Sequence, residues 1–249
     1  MSRLWKALTL ALAVVALAIL AISCGSAKTS YRVIDAIANY NYSGTGGFDI
    51  TMNGSIEFSS VQFTNIDPAG KDAYEAVPSG SNNLEVFPHG DATTGGTPII
   101  NSSLSFNGRT QYTVLLMGNN LNNPYVSQPF TDNNAVPTTG DFEFRVIDAA
   151  NNLGSQQLDI YVVGEVSLVT EGQATANATI TYGQATPYIS NPGNGSTPWF
   201  LVVTPHGVRT PIIQPTSYTP AALQIETIVL VDGPNGFGLG TPLIFGDLN

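Results

Sequence analysis

The side chains with chemical potential in this chain of 249 residues come in matched pairs. Asp35 and Asp148 each follow Arg-Val-Ile, in "YRVIDA" (31–36) and "FRVIDA" (144–149). Asp49 and Asp159 recur in "FDI" and "LDI", and His89 and His206, the two histidines of the chain, both stand in Pro-His-Gly. Repeated carboxylates could do three kinds of work. Two of them flanking one glycosidic bond would hydrolyse a glycan. Several converging on one point would ligate calcium, which makes Asp35, Asp49, Asp148 and Asp159 the candidate ligands. Taken singly, they would cap turns or pair with Arg32 and Arg145, which repeat as they do. No EF-hand spacing is present, "DPAGKD" (67–72) only loosely resembles a calcium loop, and each aspartate lies on or at the end of a strand pattern. The structural role is therefore the expectation, with calcium as the minor alternative and no other cofactor.

The histidines have no second His or Cys at ligand spacing, so they read as duplicated turn residues, and no metal site is expected of them. Nucleophile signatures are missing too: the chain has no G-x-S-x-G, no supported S-x-x-K, and one cysteine. No catalytic residue is assigned, and the chain is expected not to be an enzyme. An envelope hydrolase is the weakest reading. Trp199 and Tyr188 flank the "NPGNGS" turn (191–196), where aromatic rings could stack on sugars; against this, Phe200, Val202 and Val203 continue Trp199 into a core-like strand.

These pairs belong to a longer repeat. "GGFDITMNG" (46–54) matches "QQLDIYVVG" (156–164), "TPII" at 97–100 recurs at 210–213, and "QYTVLLMG" (111–118) matches "IETIVLVDG" (225–233). Tyr74 aligns with Tyr188, and "YVSQPFTDNN" (125–134) aligns with "TPLIFGDLN" (241–249). The offsets drift between 110 and 117, too long for a solenoid unit, so this is a duplicated domain. Within each copy the apolar period is two. Phe142, Phe144 and Val146 alternate with Glu143, Arg145 and Ile147, and Gly, Pro and Asn turns punctuate the runs. The fold class predicted is all-β: two tandem Ig-like antiparallel β-sandwich domains after an N-terminal lipoprotein signal. The boundaries expected are a signal peptide at 1–23, a tether at 24–30, domain 1 at 31–137 and domain 2 at 138–249, joined through the short "NNAVPTTG" (133–140). The last strands, 125–131 and 241–247, are candidate sheet edges that could recruit a partner or a second copy by strand addition.

Composition narrows the partners. The chain carries 18 acidic and 8 basic residues; loss of Arg3 and Lys6 with the leader leaves a net charge of −12, which repels nucleic acid. The leader has a cationic start (Arg3, Lys6), an apolar run over 7–22, and Ser23-Cys24 before an abrupt polar switch. It resembles a bacterial lipobox, with Ala21 where Leu is usual, and makes Cys24 the lipidation site and the lipid its link to the membrane. Gly25 stands where an inner-membrane retention signal would have Asp. An exported protein, lipid-anchored to the envelope at the outer membrane or cell surface, is the expectation.

The run "RVIDA…LDIYVVG…YGQATPYISNPG…WFLVVTPHG…TIVLVDG…FGD" resembles the bacterial domain-of-unknown-function family 4397, whose members often occur in tandem in secreted and lipid-anchored proteins. Copy 2 fits it along its length. Copy 1 diverges, with Tyr42–Gly47 inserted and "VQFTNIDPAGKDAY" in place of "YGQATPY". Asp35 and Asp148 stand where the family usually has His. The resemblance implies a β-sandwich outside the cytoplasm and no established activity. The function expected is a non-enzymatic, lipid-anchored cell-envelope or surface protein acting in partner binding or extracellular assembly. A glycan- or calcium-binding module is the alternative.

Overall fold

The computed structural model describes residues 28–38, 40, 46–69, 73–119, 123–192, 196–233 and 238–247. The leader, Cys24 and the centre of the "NPGNGS" turn lie outside the described residues. In copy 1 the strands are β1 (Ser30–Asp35), β2 (Phe48–Met52), β3 (Ser55–Val61), β4 (Ile66–Asp67), β5 (Glu75–Ala76), β6 (Gly80–Pro88), β7 (Ile100–Phe106), β8 (Gln111–Met117) and β9 (Val126–Thr131). Copy 2 supplies β10 (Asp141–Asp148), β11 (Leu158–Val163), β12 (Ala178–Ile180), β13 (Ile189–Pro192), β14 (Trp199–Pro205), β15 (Thr216–Tyr218), β16 (Ile225–Leu230) and β17 (Leu243–Gly246). Single helical turns occur at α1 (Asp91–Thr94) and α2 (Ser167–Thr170), and a 3-10 turn at Asn151–Leu153.

Each copy forms two sheets. In copy 1 they run β4-β1-β8-β9, with β5 also on β1, and β3-β2-β6-β7; in copy 2 they run β13-β10-β16-β17 and β12-β11-β14-β15. One feature departs from the antiparallel expectation. β1 lies parallel to β8, from Ser30 opposite Gln111 to Asp35 opposite Leu116, and β10 lies parallel to β16. The chain passes from β1 into the other sheet at β2, so it returns through a long path, which is what a parallel pair requires.

Strand parity decides how the sheets stack. Tyr31 and Val33 of β1 join Val114 and Leu116 of β8 in a core with Phe48, Ile50, Leu84 and Phe106 of the other sheet. Phe142, Phe144 and Val146 of β10 do the same with Leu158, Ile160, Leu201 and Val203. The opposite parity is buried as well. Ile34, Leu115 and Met117 of copy 1 meet Ile147, Val229 and Val231 of copy 2 in a third core between the domains. β1 is therefore buried on both faces along its whole length. The order of layers is outer sheet, inner sheet, inner sheet, outer sheet, with the two inner sheets facing across the domain interface. Beyond the second outer sheet, the α2 segment covers Tyr161, Val163 and Val202.

Candidate functional site

Arg32 and Arg145 point into the third core; their residues are 0% and 2% exposed. Each finds its carboxylate in the other copy. Arg32 Nη2 donates to Asp247 and Nη1 to the Gly246 carbonyl at 3.0 Å; Arg145 Nη2 donates to Asp132 and Nη1 to the Thr131 carbonyl at 2.7 Å. Each Nε stays at home, on Thr113 Oγ1 or Thr227 Oγ1, both at 2.9 Å. Those hydroxyls pass the bond on, to Asp132 Oδ2 at 2.9 Å and to both oxygens of Asp247 at 2.8–2.9 Å. Tyr74 and Tyr188 complete the pattern. Their hydroxyls donate to Asp132 and Asp247 at 2.7 and 2.8 Å, and their rings each face a guanidinium 5.1 Å away. Two positive and two negative charges thus close a near-symmetric, neutral cluster. Burial, helped by the adjacent carboxylates and opposed by the facing arginines, raises the pKa of both phenols, so they remain neutral donors. Burial alone would lower the pKa of Arg145, but Asp132 facing it raises it and keeps the charge.

The cluster corrects two expectations. The repeated arginines do not pair with the repeated Asp35, Asp49, Asp148 or Asp159; their partners are Asp132 and Asp247, one step past β9 and β17. Tyr188, expected beside the sugar-stacking turn, commits its hydroxyl and one ring face to the interface instead. Trp199 lies elsewhere, half-buried at the edge of the copy 2 core, with its ring 5.9 Å from Phe142 and Tyr218 opposite it.

The repeated aspartates split into two kinds. Asp49 accepts from Ser59 Oγ at 2.7 Å, Ser60 N at 3.1 Å, His89 Nδ1 at 2.7 Å and Gly90 N at 2.8 Å. Asp159 accepts likewise from Thr179 Oγ1 at 2.7 Å, His206 Nδ1 at 2.8 Å and Gly207 N at 2.9 Å. An ionised carboxylate cannot donate, so each His carries its proton on Nδ1. The histidines are turn residues, as their Pro-His-Gly context predicts, but each turn is clipped to a strand aspartate. Asp49 and Asp159, on the outer sheets of different copies, offer no joint calcium site. Asp35 and Asp148 end β1 and β10 and cap the turns that follow, through Ile37 N at 2.9 Å and Ala150 N at 3.0 Å. Among the described residues, no group of three or more His, Cys, Asp or Glu could hold a metal ion.

Substitution should separate the roles. Arg32→Met strands Asp247 in a buried site and should cost about 3–5 kcal/mol by urea unfolding, whereas Arg32→Met with Asp247→Leu should recover most of that loss. Simple addition of the two single losses would show that the pair does not act as a unit. Asp49 gives a pH signature. Burial works to raise its pKa, but Ser59, Gly90, His89 and Ser60 outweigh this and hold it at about 2. The folded value lies below the unfolded value of about 3.9, so this stabilisation is present above that pH and is lost as pH falls towards 2. The stability gap between wild type and Asp49→Asn should be widest above about pH 5 and should close on acidification; a gap that ignores pH contradicts the assignment.

No curated protein sequence matches the chain. Three solved structures align over most of it with low scores. The structure titled "Alpha-glucan binding by a streptococcal virulence factor" is 12% identical, covers 88% of this chain and 97% of its own, and has a TM-score of 0.26. A candidate cell adhesion protein from Bacteroides ovatus ATCC 8483 is 9% identical, covers 90% and 99%, and scores 0.24. Another from Bacteroides fragilis NCTC 9343 is 9% identical, covers 90% and 97%, and scores 0.22. The family described as "Domain of unknown function (DUF4397)" matches residues 31–161, which span copy 1 and run on through β10 into β11. The chain belongs to the DUF4397 family.

Proposed function

We propose that this is a non-enzymatic protein, exported and lipid-anchored through Cys24 at the outer membrane or cell surface, that acts in partner binding or extracellular assembly. The observation that carries the reading is where the repeated polar residues go. Arg32, Arg145, Asp132, Asp247, Tyr74 and Tyr188 hold one domain to the other, and the Asp–His clips hold turns to strands. The polar chemistry duplicated with the domain serves a rigid body rather than a reacting centre. A stiff stack of four sheets on a lipid tether suits presentation of a binding surface.

The sheet edges supply the surface for assembly. β9 and β17 each end one side of an inner sheet. Their apolar residues Phe130 and Phe245 pack inward, while Ile244 remains 36% exposed. Removing 241–249 would also remove Asp247 and open the interface, so a point change is the cleaner probe. Light scattering on residues 28–249 should show concentration-dependent self-association that Ile244→Lys abolishes without lowering the melting temperature. A wild type monomeric at every concentration, or association untouched by Ile244→Lys, would sink assembly through this edge. In cells, palmitate label should mark the wild type and not Cys24→Ala, and an unlabelled wild type would rule out the anchor.

A further inference from the structure

The two copies match hydrogen bond for hydrogen bond around the aspartate that ends their first strand. Thr64 N donates to the Asp35 carbonyl and Gly183 N to the Asp148 carbonyl, both at 2.8 Å. The Asn65 and Gln184 carbonyls accept from Asp35 N and Asp148 N in turn. Phe63 of copy 1 therefore corresponds to Tyr182 of copy 2. On the other side, Ala36 N bonds to the Leu116 carbonyl and Ala149 N to that of Leu230, which places Gly118 in correspondence with Asp232. Gly118 has φ +112°, and a Cβ there would meet the Pro124 carbonyl oxygen at 2.2 Å, so copy 1 has no room for a carboxylate. At the two positions beside the aspartate, copy 1 has a phenyl ring and a hydrogen atom; copy 2 has a phenol and an acid.

The extra groups gather around Asp148. The 3-10 turn that starts three residues after it sends Asn152 N to Asp232 Oδ1 at 2.9 Å, with Asn151 N and the Asn152 side chain as further donors. Tyr182 lies within electrostatic reach of both carboxylates. Asp148 is 0% exposed and Asn151 2%, yet among the described residues Asp148 Oδ2, Asn151 Nδ2 and the Tyr182 hydroxyl have no hydrogen-bond partner. Buried polar atoms are nearly always satisfied, so three orphans in one neighbourhood call for an occupant. Asp232 stands close enough to Asp148 for the two carboxylates to interact electrostatically. A cleft of about 430 Å³, lined by Asn123, Gly154, Ser155, Thr181 and Tyr182, reaches the group at Tyr182.

The geometry points to a cation site in copy 2, formed by Asp148, Asp232, Tyr182 and Asn151, that takes calcium. The donors are hard oxygens, the type that selects calcium over softer transition metals. Asn151 presents its oxygen after a half-turn of its amide, which its partner Asn123 can match with its own. Water from the cleft fills the remaining positions. Two carboxylates make a weak site, suited to the millimolar calcium outside cells. Of the four repeated aspartates, only Asp148 serves as a ligand. The site goes beyond the binding-or-assembly reading; only its match to extracellular calcium rests on the export in that reading.

The test is a thermal melt of residues 28–249 in EDTA and then in calcium, with isothermal titration for stoichiometry. Wild type should bind one calcium per chain, and its melting temperature should rise by roughly 5 °C at saturation. Tyr182→Phe installs the ring that copy 1 carries, and Asp232→Asn keeps the acceptor without the charge; both should fold and both should lose most of the shift. No shift in the wild type overturns the site, and so does a shift that survives in both variants.

Discussion

Everything in this molecule depends on an exchange of charge between two domains. Arg32 reaches the carboxylate that follows the last strand of copy 2, and Arg145 reaches its equivalent in copy 1. Taking four charges out of water is expensive, and their mutual attraction offsets that only if every lone pair and proton is used. Here the guanidinium protons reach a carboxylate, a carbonyl and a threonine hydroxyl, and the carboxylates also collect a tyrosine. The net contribution to stability of such a cluster can be small. Its contribution to specificity is large, because any other docking of the two inner sheets would leave the four groups buried and unpaired. The apolar faces around Ile34 and Ile147 supply attraction without direction; the arginines supply the register. The linker adds to this, with Asn134 bonded to Gln111 of copy 1 and Asn133 to Glu143 of copy 2 at 3.1 Å.

Much of this architecture can be read from the residues, and the reason for each failure is physical. The repeat, the all-β class and the alternation of Phe142, Phe144 and Val146 with Arg145 and Ile147 all follow from spacing. What alternation cannot show is that the second face is buried too. A strand face holding Arg and Glu looks like a face in water, and only the isoleucine two residues beyond each arginine hints otherwise. The match of "TDNN" with "FGDLN" puts Asp132 opposite Asp247 in the alignment. Nothing in a single copy says that an arginine's partner lies in the other one. The parallel pairing of β1 with β8 also escapes, since strand direction leaves no mark on side-chain period. The histidine turns are legible from Pro-His-Gly; their aspartate clips, some 40 or more residues away, are not.

Duplication also shows which features the fold requires and which it tolerates. Both copies keep the arginine, the threonine it leans on, the tyrosine it faces and the aspartate it donates to its partner domain. Both keep the aspartate–histidine clip. Where the copies part, at Phe63 against Tyr182 and Gly118 against Asp232, the frame is unchanged and only the chemistry of the surroundings differs. A shared frame with local divergence is how one scaffold can hold structure in one half and carry a ligand in the other.

The exchanged arginines make the two domains one body. Calorimetric unfolding of residues 28–249 tests it most directly. If the interface binds the domains as described, they unfold together in a single transition whose calorimetric and van't Hoff enthalpies agree. Two resolved transitions, or a calorimetric enthalpy near twice the van't Hoff value, would mean that each sandwich melts alone and the exchanged pairs do not couple them.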